Sequence, residues 1–326
     1  MNKYKTLNLF YEEPDPDRWI KYDRYVRKFI RRIVRGKQKP GGVMMIALQL
    51  IKGLDALGIP YRFNDYKYAK NHPKELIGVI GKPQLIFEKR FNNPILFGSG
   101  VYSHPIECPN LFVEYPNIKR ILVPGPWMKN MFDPYYPEKV SFWPAGIDTD
   151  RWMPSNLDVI KYDFIIYNKI IGNNSLKNEI IKILVDNKLT YTLIEYGFYT
   201  QEELLDKLKQ SKSAIFLSKS ETQGFAYQQI LSTNIPMLAY DEGEYWKDPY
   251  YFPHKVKFKP VSSVPYWSKS CGEKFRTIVE FKNKLPAFLD KRSSYNPRGF
   301  IISTLTLEIS AKQYYDIYNS LAGNLL

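Results

Sequence analysis

The sequence predicts an α/β protein made of two Rossmann-like domains, each a doubly wound parallel sheet. Short apolar runs bounded by glycine or proline alternate with segments whose apolar residues recur at helical spacing, which is typical of βαβ units. The length of 326 residues also suits two domains, since one domain usually takes about 100 to 200 residues. We expect domains at residues 1–155 and 156–300, and a C-terminal helix at residues 301–326 that could pack back on the first domain.

The first domain should begin with an apolar strand at residues 7–11. Residues 43–57 carry apolar side chains at helical spacing and are followed by Gly58, which suits a helix C-cap. Further buried parallel strands are expected at residues 77–80, 94–97 and 120–123.

Between the first strand and this helix lies a strongly basic segment, residues 18–39. It holds ten basic residues and one acid, Asp23, and its apolar residues recur at helical spacing. Three interpretations stay open: an ordinary helix packed on the core, a helix lying on an anionic membrane, and a nucleic-acid contact. The first is the plainest, and a nucleic-acid partner is not expected.

The second domain should repeat the alternation. Strands are expected at residues 163–167, 191–195, 213–217 and 236–240, and helices at residues 176–187, 201–210 and 224–233. The polar, proline-containing residues 153–161 are the expected domain boundary, and residues 247–274 should form an ordered irregular loop.

Composition excludes several classes of protein. No apolar run reaches the roughly 18 residues that span a bilayer, and the first residues lack the apolar core of a signal peptide. We therefore expect a cytoplasmic protein, with peripheral membrane association possible through residues 18–39. The two cysteines, Cys108 and Cys271, are expected to stay reduced. Neither paired metal ligands nor a Ser-His-Asp arrangement is evident in the sequence.

The most informative segment is residues 218–241. It places Glu221 on the turn between a predicted strand and a helix that begins at Gly224. The start of a helix favours an anion, because its first amides are unpaired and the helix dipole is positive there. Glu221 would remain available to bind neutral hydroxyls, so the pattern suggests a phosphorylated sugar as ligand.

This segment resembles the donor-binding signature of retaining GT-B glycosyltransferases of the family 4 type. That signature is a glutamate, a Phe-Gly-type turn and a second glutamate eight positions after the first. Here Glu221 is the first acid, Gly224 and Phe225 follow in swapped order, and Gln229 occupies the second acidic position. Residues 234–238 resemble the family's Gly-x-Pro-Val turn without its glycine.

Two other segments carry the resemblance. Residues 140–154 are similar to the family's interdomain segment, with Gly146, Ile147 and Asp148 keeping its pattern and Ala145 replacing an asparagine. Residues 41–58 resemble its glycine-rich loop and first helix. The resemblance implies the GT-B fold, in which two Rossmann-like domains face each other across a cleft.

The resemblance also implies a catalytic set of Lys169, Glu221 and His104. Lys169 would neutralise the donor diphosphate, Glu221 would bind sugar hydroxyls, and His104 would contact the donor sugar. Each residue has a structural alternative: a surface lysine at a strand end, a helix N-cap and a structural histidine, respectively.

The implied donor-binding residues fall into three groups. Glycines near the first helix would approach the donor phosphate, residues after the second strand of the second domain would contact the nucleobase, and residues of the Glu221 turn and its helix would bind the rest of the donor, Gln229 being placed at the ribose. In that order they are Gly41 and Gly42; Gly197, Phe198 and Tyr199; and Gln223, Gly224, Phe225 and Gln229.

The resulting hypothesis is a glycosyltransferase that moves a hexose-type unit from a UDP- or GDP-sugar to a saccharide, lipid-linked or surface-polymer acceptor. The resemblance implies retention of anomeric configuration, and no metal is expected to be required. The alternatives are a GT-B nucleotide-sugar epimerase and a non-catalytic basic protein that binds anionic membrane or nucleic acid.

Overall fold

The computed structural model describes residues 4–12, 42–100, 102–154, 160–172 and 174–323. The predicted basic helix at residues 18–39 and Gly41 lie outside the described residues. The chain divides into two compact units. The first comprises Met1–Pro124, Phe132–Gly146 and Leu307–Leu326, and the second comprises Gly125–Met131 and Ile147–Thr306.

The first unit is built on a six-stranded, all-parallel sheet with the order β2-β1-β3-β4-β5-β6. Its strands are Leu7–Phe10 (β1), Tyr61–Phe63 (β2), Ile77–Val79 (β3), Ile95–Gly98 (β4), Ile118–Val123 (β5) and Val140–Phe142 (β6). The helices before the second unit's sheet are Gly42–Leu57 (α1), Tyr66–Asn71 (α2), Gln84–Lys89 (α3), Leu111–Glu114 (α4) and Pro126–Phe132 (α5), with a 3₁₀ turn at Pro105–Glu107.

The second unit contains a five-stranded, all-parallel sheet with the order β11-β10-β9-β7-β8. Its strands are Tyr162–Asn168 (β7), Tyr191–Glu195 (β8), Ser211–Leu217 (β9), Met237–Tyr240 (β10) and Gly272–Phe275 (β11). Its helices are Ser175–Asp186 (α6), Gln201–Lys209 (α7), Phe225–Ser232 (α8), Ile278–Lys291 (α9) and Pro297–Thr304 (α10), with 3₁₀ turns at Lys269–Cys271 and Arg292–Ser294.

Helices cover both faces of the second sheet. Ile165 and Tyr167 of β7 pack in one core with Leu204 of α7, Tyr227 of α8 and Ile301 of α10. Their neighbours along β7, Phe164 and Ile166, pack in a second core with Ile180 of α6 and Phe281 of α9. Alternate residues of a strand point to opposite faces, so a strand buried on both sides must be apolar throughout, which is the pattern that predicts it from sequence.

The last helix, Leu307–Gly323 (α11), belongs to the first unit. It crosses α1 closely, because a Cβ on Gly53 would lie 2.7 Å from Cβ of Ala311. It is also tied to the sheet, since Ser310 O accepts from the Trp143 indole N–H at 2.9 Å and the Tyr318 hydroxyl donates to Leu76 O.

The first strands of both sheets are arranged in the same order. In each sheet the first strand along the chain lies between the second strand, which is at the sheet edge, and the third strand, which leads into the sheet interior. The strand order reverses between β1 and β3 in the first unit and between β7 and β9 in the second. In open α/β sheets, ligands bind beyond the carboxyl ends of the strands at this point. Lys169 follows β7 directly, and Glu221 lies four residues beyond the end of β9.

The sequence predicts the interior strands and misses three short outer ones, β2, β6 and β11. Each lies at an edge of its sheet and spans three or four residues, several of which are only partly buried. An edge strand needs no continuous apolar run, so it has no strong sequence signal. The irregular loop predicted at residues 247–274 is confirmed as far as β11, which takes up its last three residues.

Within the described parts of the chain, we find no helix whose length and hydropathy would suit a membrane span.

Arg298 of α10 joins three segments of the second unit. Its guanidinium donates to the carbonyl oxygens of Thr149 at 3.1 Å, Trp152 at 3.1 Å and Ser232 at 2.7 Å. The charged, planar donor thus reaches three carbonyl oxygens at once, one of which, Trp152 O, also accepts from Ser232 Oγ at 2.7 Å.

We expect Arg298→Met to lower the free energy of unfolding by about 3 kcal/mol, since it removes several charge-assisted hydrogen bonds that join separate segments. Arg276→Met is the matched control, because Arg276 is exposed, and should change stability by less than about 0.5 kcal/mol. Denaturant unfolding of the two variants makes the comparison. Equal losses would show that the Arg298 network contributes no specific stabilisation.

Candidate functional site

The second unit places Lys169 and Glu221 in direct contact. The Lys169 Nζ atom lies 2.8 Å from Oε1 and 2.9 Å from Oε2 of Glu221. The two residues meet because β7 and β9 are adjacent and in register at their ends, where Asn168 pairs with Leu217. The ion pair therefore sits where the strand order reverses, the position expected for a ligand site.

The Glu221 turn is held from several sides. Ser218 Oγ donates to Glu221 Oε1 at 2.9 Å. The backbone N–H of Glu221 donates to Ser262 O at 2.9 Å, and its carbonyl accepts from the Trp127 indole N–H at 2.8 Å. These bonds fix both the carboxylate and the backbone beneath it.

The pair is partly open to solvent. Glu221 is 9% exposed, while the Lys169 side chain is 28% exposed and its ammonium lies 4.6 Å from the centroid of the Tyr196 ring. A buried carboxylate is stable only when a cation or hydrogen bonds compensate its charge, and Lys169 supplies that compensation. Lysine has three N–H donors, so it retains capacity for a further anion.

Helix α8 begins beside this pair, and the residue before it, Gly224, adopts φ +86° and gives no side-chain cap. A Cβ at this position would fall within 2.5 Å of the Tyr227 ring, so both the conformation and the space require glycine. Because the first amides of a helix lack partners within it, the start of α8 is suited to an anionic ligand.

The other predicted residues of this segment differ in their surroundings. Gln223 is buried, and its amide donates to Gln228 Oε1 at 3.1 Å, which ties it into the turn. Phe225 is the first residue of α8 and packs against the core. Gln229 is 5% exposed, and its side chain forms no hydrogen bond with another described residue.

The predicted nucleobase residues follow β8. Gly197 has φ +88° and open space around its Cα, and Phe198 is 88% exposed. The hydroxyl of Tyr199 lies 3.0 Å from that of Tyr167. Burial raises the pKa of both tyrosines, so both hydroxyls are protonated at neutral pH. Tyr199 is thus packed against the core and bonded through its hydroxyl, whereas the Phe198 ring is exposed.

A neighbouring polar network escaped the sequence analysis. Asn168 Nδ2 donates to Glu195 Oε2 at 2.8 Å, and Lys177 Nζ lies 2.6 Å from Glu195 Oε1. Asn168 Oδ1 in turn accepts from Ile170 N at 3.2 Å. The network shapes the backbone on both sides of Lys169. The sequence signal for this network was a polar residue at the end of each of two adjacent strands, Asn168 in β7 and Glu195 in β8.

In the first unit, Gly42 begins α1, and the space around its Cα is open. The next residue, Val43, contacts two glycines beyond the ends of β3 and β4: a Cβ on Gly81 would lie 3.1 Å from Val43, and one on Gly100 would lie 3.5 Å away. The start of α1 therefore lies against the carboxyl ends of these strands. The predicted phosphate contact of Gly42 stays a prediction.

His104 caps the 3₁₀ turn at Pro105–Glu107. Its Nδ1 accepts from Ile106 N at 3.1 Å, and Glu107 Oε1 accepts from His104 N at 3.3 Å. Burial lowers the pKa of His104, with a smaller opposing effect from Glu107. The structure thus gives His104 a local capping role, and its proposed contact with a donor sugar stays a prediction.

The remaining resemblance segments have defined local roles. Ile147 forms an isolated parallel bridge with Thr306, and its N–H donates to Leu305 O at 2.8 Å. Asn234 adopts φ +62°, a conformation that asparagine tolerates better than most residues. This explains how the turn forms without the family's glycine.

Among the described residues, we find no group of three or more His, Cys, Asp or Glu side chains arranged to hold a metal ion.

The chain matches no protein-family model and no curated protein. Solved structures do match. Sucrose-phosphate synthase from Thermosynechococcus elongatus has a TM-score of 0.57 at 13% identity, over 98% of this chain and 100% of that chain. HepE from Anabaena in complex with UDP and glucose has a TM-score of 0.58 at 10% identity, over 96% of this chain and 99% of that chain.

A third match is accessory secretory protein 1, 2 and 3 of Streptococcus pneumoniae, with a TM-score of 0.53 at 14% identity. It covers 80% of this chain and 56% of that chain, so this chain spans little more than half of that protein. Together with the two parallel sheets, these likenesses show that the chain has the GT-B fold of Rossmann-like domains, which confirms the predicted fold class.

We expect Gly224→Ala to lower the free energy of unfolding by about 2–5 kcal/mol, the sum of a left-handed alanine and a forced displacement of Tyr227. Gly243→Ala is the matched control, because Gly243 also has positive φ, at +67°, but nothing lies within 4 Å of the added Cβ. It should cost about 1–2 kcal/mol. Denaturant unfolding measures both, and equal costs would refute a steric requirement at Gly224.

His104 should contribute to the pH dependence of stability. Because its pKa is lower in the folded chain than in the unfolded one, the unfolded chain binds more protons as the pH falls below about 6.5. The stability that neutral His104 contributes above that pH is therefore lost on acidification. His104→Asn keeps a capping acceptor and should lose less free energy of unfolding between pH 7.5 and pH 5 than the wild type.

The control for this measurement is His254→Asn, since His254 is exposed. Its pH dependence should match that of the wild type. A His104→Asn profile that also matches the wild type would contradict the assignment.

Proposed function

We propose that the chain is a glycosyltransferase that takes a hexose-type sugar from a nucleoside-diphosphate sugar. The observation that carries the proposal is the Lys169–Glu221 pair, held beside the start of α8 where the strand order of the second sheet reverses. A cation, unpaired amides and a fixed carboxylate at one point match a ligand with a diphosphate and several hydroxyls.

Lys169 is the proposed partner of the diphosphate. Breaking the bond between the sugar and the diphosphate increases negative charge on the leaving oxygen, and a cation fixed beforehand stabilises that charge without reorganising. Glu221 holds the ammonium in place at 2.8 Å. The third N–H of Lys169 and the amides of α8 remain as donors to the phosphate oxygens.

Glu221 is the proposed acceptor for sugar hydroxyls. An ionised carboxylate has about four acceptor positions. Oε1 accepts from Ser218 and Lys169, and Oε2 accepts from Lys169. At least one position is therefore available to a donor hydroxyl, and charge-assisted bonds of this kind are roughly twice as strong as neutral ones.

The surrounding residues suit the rest of a nucleotide. Gln229 is 5% exposed, its side chain forms no hydrogen bond with another described residue, and it is proposed to bind the ribose, while the exposed ring of Phe198 is proposed to stack on the base. Gly41, Gly42 and His104 keep their proposed donor contacts. HepE was solved in complex with UDP and with UDP-glucose, which makes UDP-glucose the first donor to test, with a GDP-sugar as the second.

We further propose retention of configuration, membership of the family 4 type and no requirement for a metal, because Lys169 and the start of α8 can supply the positive potential for the leaving diphosphate. The proposed acceptor is a saccharide, a lipid-linked sugar or a surface polymer. The proposed location is the cytoplasm, with residues 18–39 as a possible contact with an anionic membrane.

We expect UDP-glucose or a GDP-sugar to raise the unfolding midpoint, since a ligand at one hundred times its Kd stabilises the folded state by about 2.7 kcal/mol. Lys169→Met and Glu221→Gln should each weaken donor binding by at least about tenfold, because each removes a charge-assisted contact. Thermal unfolding with titrated donor provides the measurement.

Lys212→Met is the matched control. Lys212 pairs with Asp163 at 2.9 Å at the other end of β7, so it tests the loss of a lysine pair away from the site. It should leave the donor affinity unchanged. A midpoint that no nucleotide sugar shifts would overturn the proposal.

The reaction type needs a separate assay. Release of nucleoside diphosphate only when a saccharide acceptor is present supports transfer, whereas conversion of the nucleotide sugar without acceptor indicates the epimerase. The anomeric configuration of the product, measured by NMR, tests retention.

A further inference from the structure

The loop between β10 and β11, residues 241–271, contains a row of unpaired lysines. Lys255, Lys257 and Lys259 are exposed, while the residues between them, Val256 and Phe258, are buried or partly buried. Residues 256–260 follow a turn that ends at Lys255, where the Lys255 N–H donates to Tyr251 O at 2.7 Å. The alternation from residue 256 onward is typical of an extended backbone, in which alternate side chains share a side about 7 Å apart, so Lys257 and Lys259 share a side. We refer to these two lysines and the adjacent Lys255 as the row.

The row is held in place by the rest of the loop. Trp246 N donates to Phe258 O at 2.8 Å, and Val261 N donates to Glu244 O at 3.1 Å. At the base of the loop, Asp241 accepts from Ser263 N at 2.9 Å and from Lys274 at 2.8 Å. The row is thus an ordered surface.

Charge in this part of the chain is one-sided. Residues 249–271 contain four lysines and neither Asp nor Glu. The carboxylates of the described residues form no ion pair with Lys255, Lys257 or Lys259, although Lys247 nearby pairs with Glu242. Unpaired cations at this spacing attract a partner that carries repeated negative charges.

Aromatic rings lie beneath two of the lysines. The Lys255 ammonium is 3.8 Å from the centroid of the Tyr250 ring, and that of Lys259 is 4.7 Å from the Tyr245 ring. Tyr250 is 69% exposed. Rings with an apolar face and a polar hydroxyl suit sugars, whose ring faces are apolar and whose edges carry hydroxyls.

The row is also connected to the Glu221 turn. Phe258 lies 6.4 Å from Trp127 between ring centroids, and the Trp127 indole donates to Glu221 O at 2.8 Å. Ser262, three residues beyond Lys259, accepts from Glu221 N at 2.9 Å. A polymer on the row would lie next to the structure that supports the proposed donor site.

We propose that Lys255, Lys257 and Lys259 bind an anionic saccharide chain, which serves as the acceptor of the transfer reaction; this inference rests on the proposed function. The chain carries carboxylate or phosphodiester groups on successive units, and its sugars pack on Tyr250 and Tyr245. Membrane insertion is disfavoured, because Trp246, Tyr251 and Val256 are buried within the loop and leave Tyr250 as the exposed aromatic residue beside the lysines.

The test uses the full chain and two triple variants of equal charge. Lys255→Gln/Lys257→Gln/Lys259→Gln removes the row, and Lys182→Gln/Lys282→Gln/Lys291→Gln removes three exposed lysines of α6 and α9. Binding is measured for polygalacturonate, phosphomannan, neutral dextran, an oligo-dT strand and phosphatidylglycerol vesicles, at two salt concentrations.

We expect the wild type to bind at least one of the two anionic glycans and not dextran, with affinity falling as salt rises. Loss of the row should weaken that binding by at least about tenfold, as expected for losing several ionic contacts, while the control variant stays within about twofold. Preference for polygalacturonate or phosphomannan distinguishes carboxylate from phosphodiester recognition.

Equal losses in the two triple variants would overturn the proposal, because net charge alone would explain them. Tighter, row-dependent binding of oligo-dT or vesicles would also overturn it and assign the row to another partner. Donor stabilisation by UDP-glucose or a GDP-sugar should survive in both variants. Failure of the wild type to bind either anionic glycan, with donor stabilisation intact, contradicts this inference alone, whereas glycan binding without any donor stabilisation contradicts the proposed function.

Discussion

The ion pair between Lys169 and Glu221 is the constraint on which the site depends. An unpaired carboxylate as buried as that of Glu221 would cost several kcal/mol of desolvation, so the turn can keep it only with a cation in contact. Lys169 is in reach because its own N–H donates to Leu217 O at 2.8 Å, the last residue of β9. Parallel pairing of two interior strands thus determines where charge can be buried.

The site also depends on residues distant in sequence. Trp127 belongs to the second unit although it precedes β7, and it donates to Glu221 across 94 positions of the chain. Ser262, from the loop after β10, accepts from the backbone of the same residue. Glu221, which follows β9, is therefore held by the short helix α5 and by the irregular loop after β10. A change in any of these elements would displace the carboxylate.

The separation of these residues along the chain determines which parts of the structure could be predicted from sequence. Interior strands such as β7 are apolar on both faces and are found from composition alone, and Gly224 marks the start of α8. The edge strand β2 and the capping bond of His104 have weak local signals. Contacts such as Trp127–Glu221 and Asn168–Glu195 arise from tertiary packing, so no pattern within a short segment reveals them. Sequence could place Lys169 and Glu221 at strand ends, but only the register of β7 and β9 brings them into contact.

The net charge does not distinguish lysines that pair with carboxylates from lysines that have no such partner. In the second unit Lys169, Lys177, Lys212 and Lys274 each lie within 3 Å of a carboxylate oxygen, so their charges are locally compensated and serve the fold or the site. Lys255, Lys257 and Lys259 have no such partner among the described residues, and their charge extends into solvent. Because Asp241 and Ser262 fix the loop that carries them, a polyanion bound there would be held at a constant distance from Glu221. A flexible loop with the same composition could attract the polymer but could not position it.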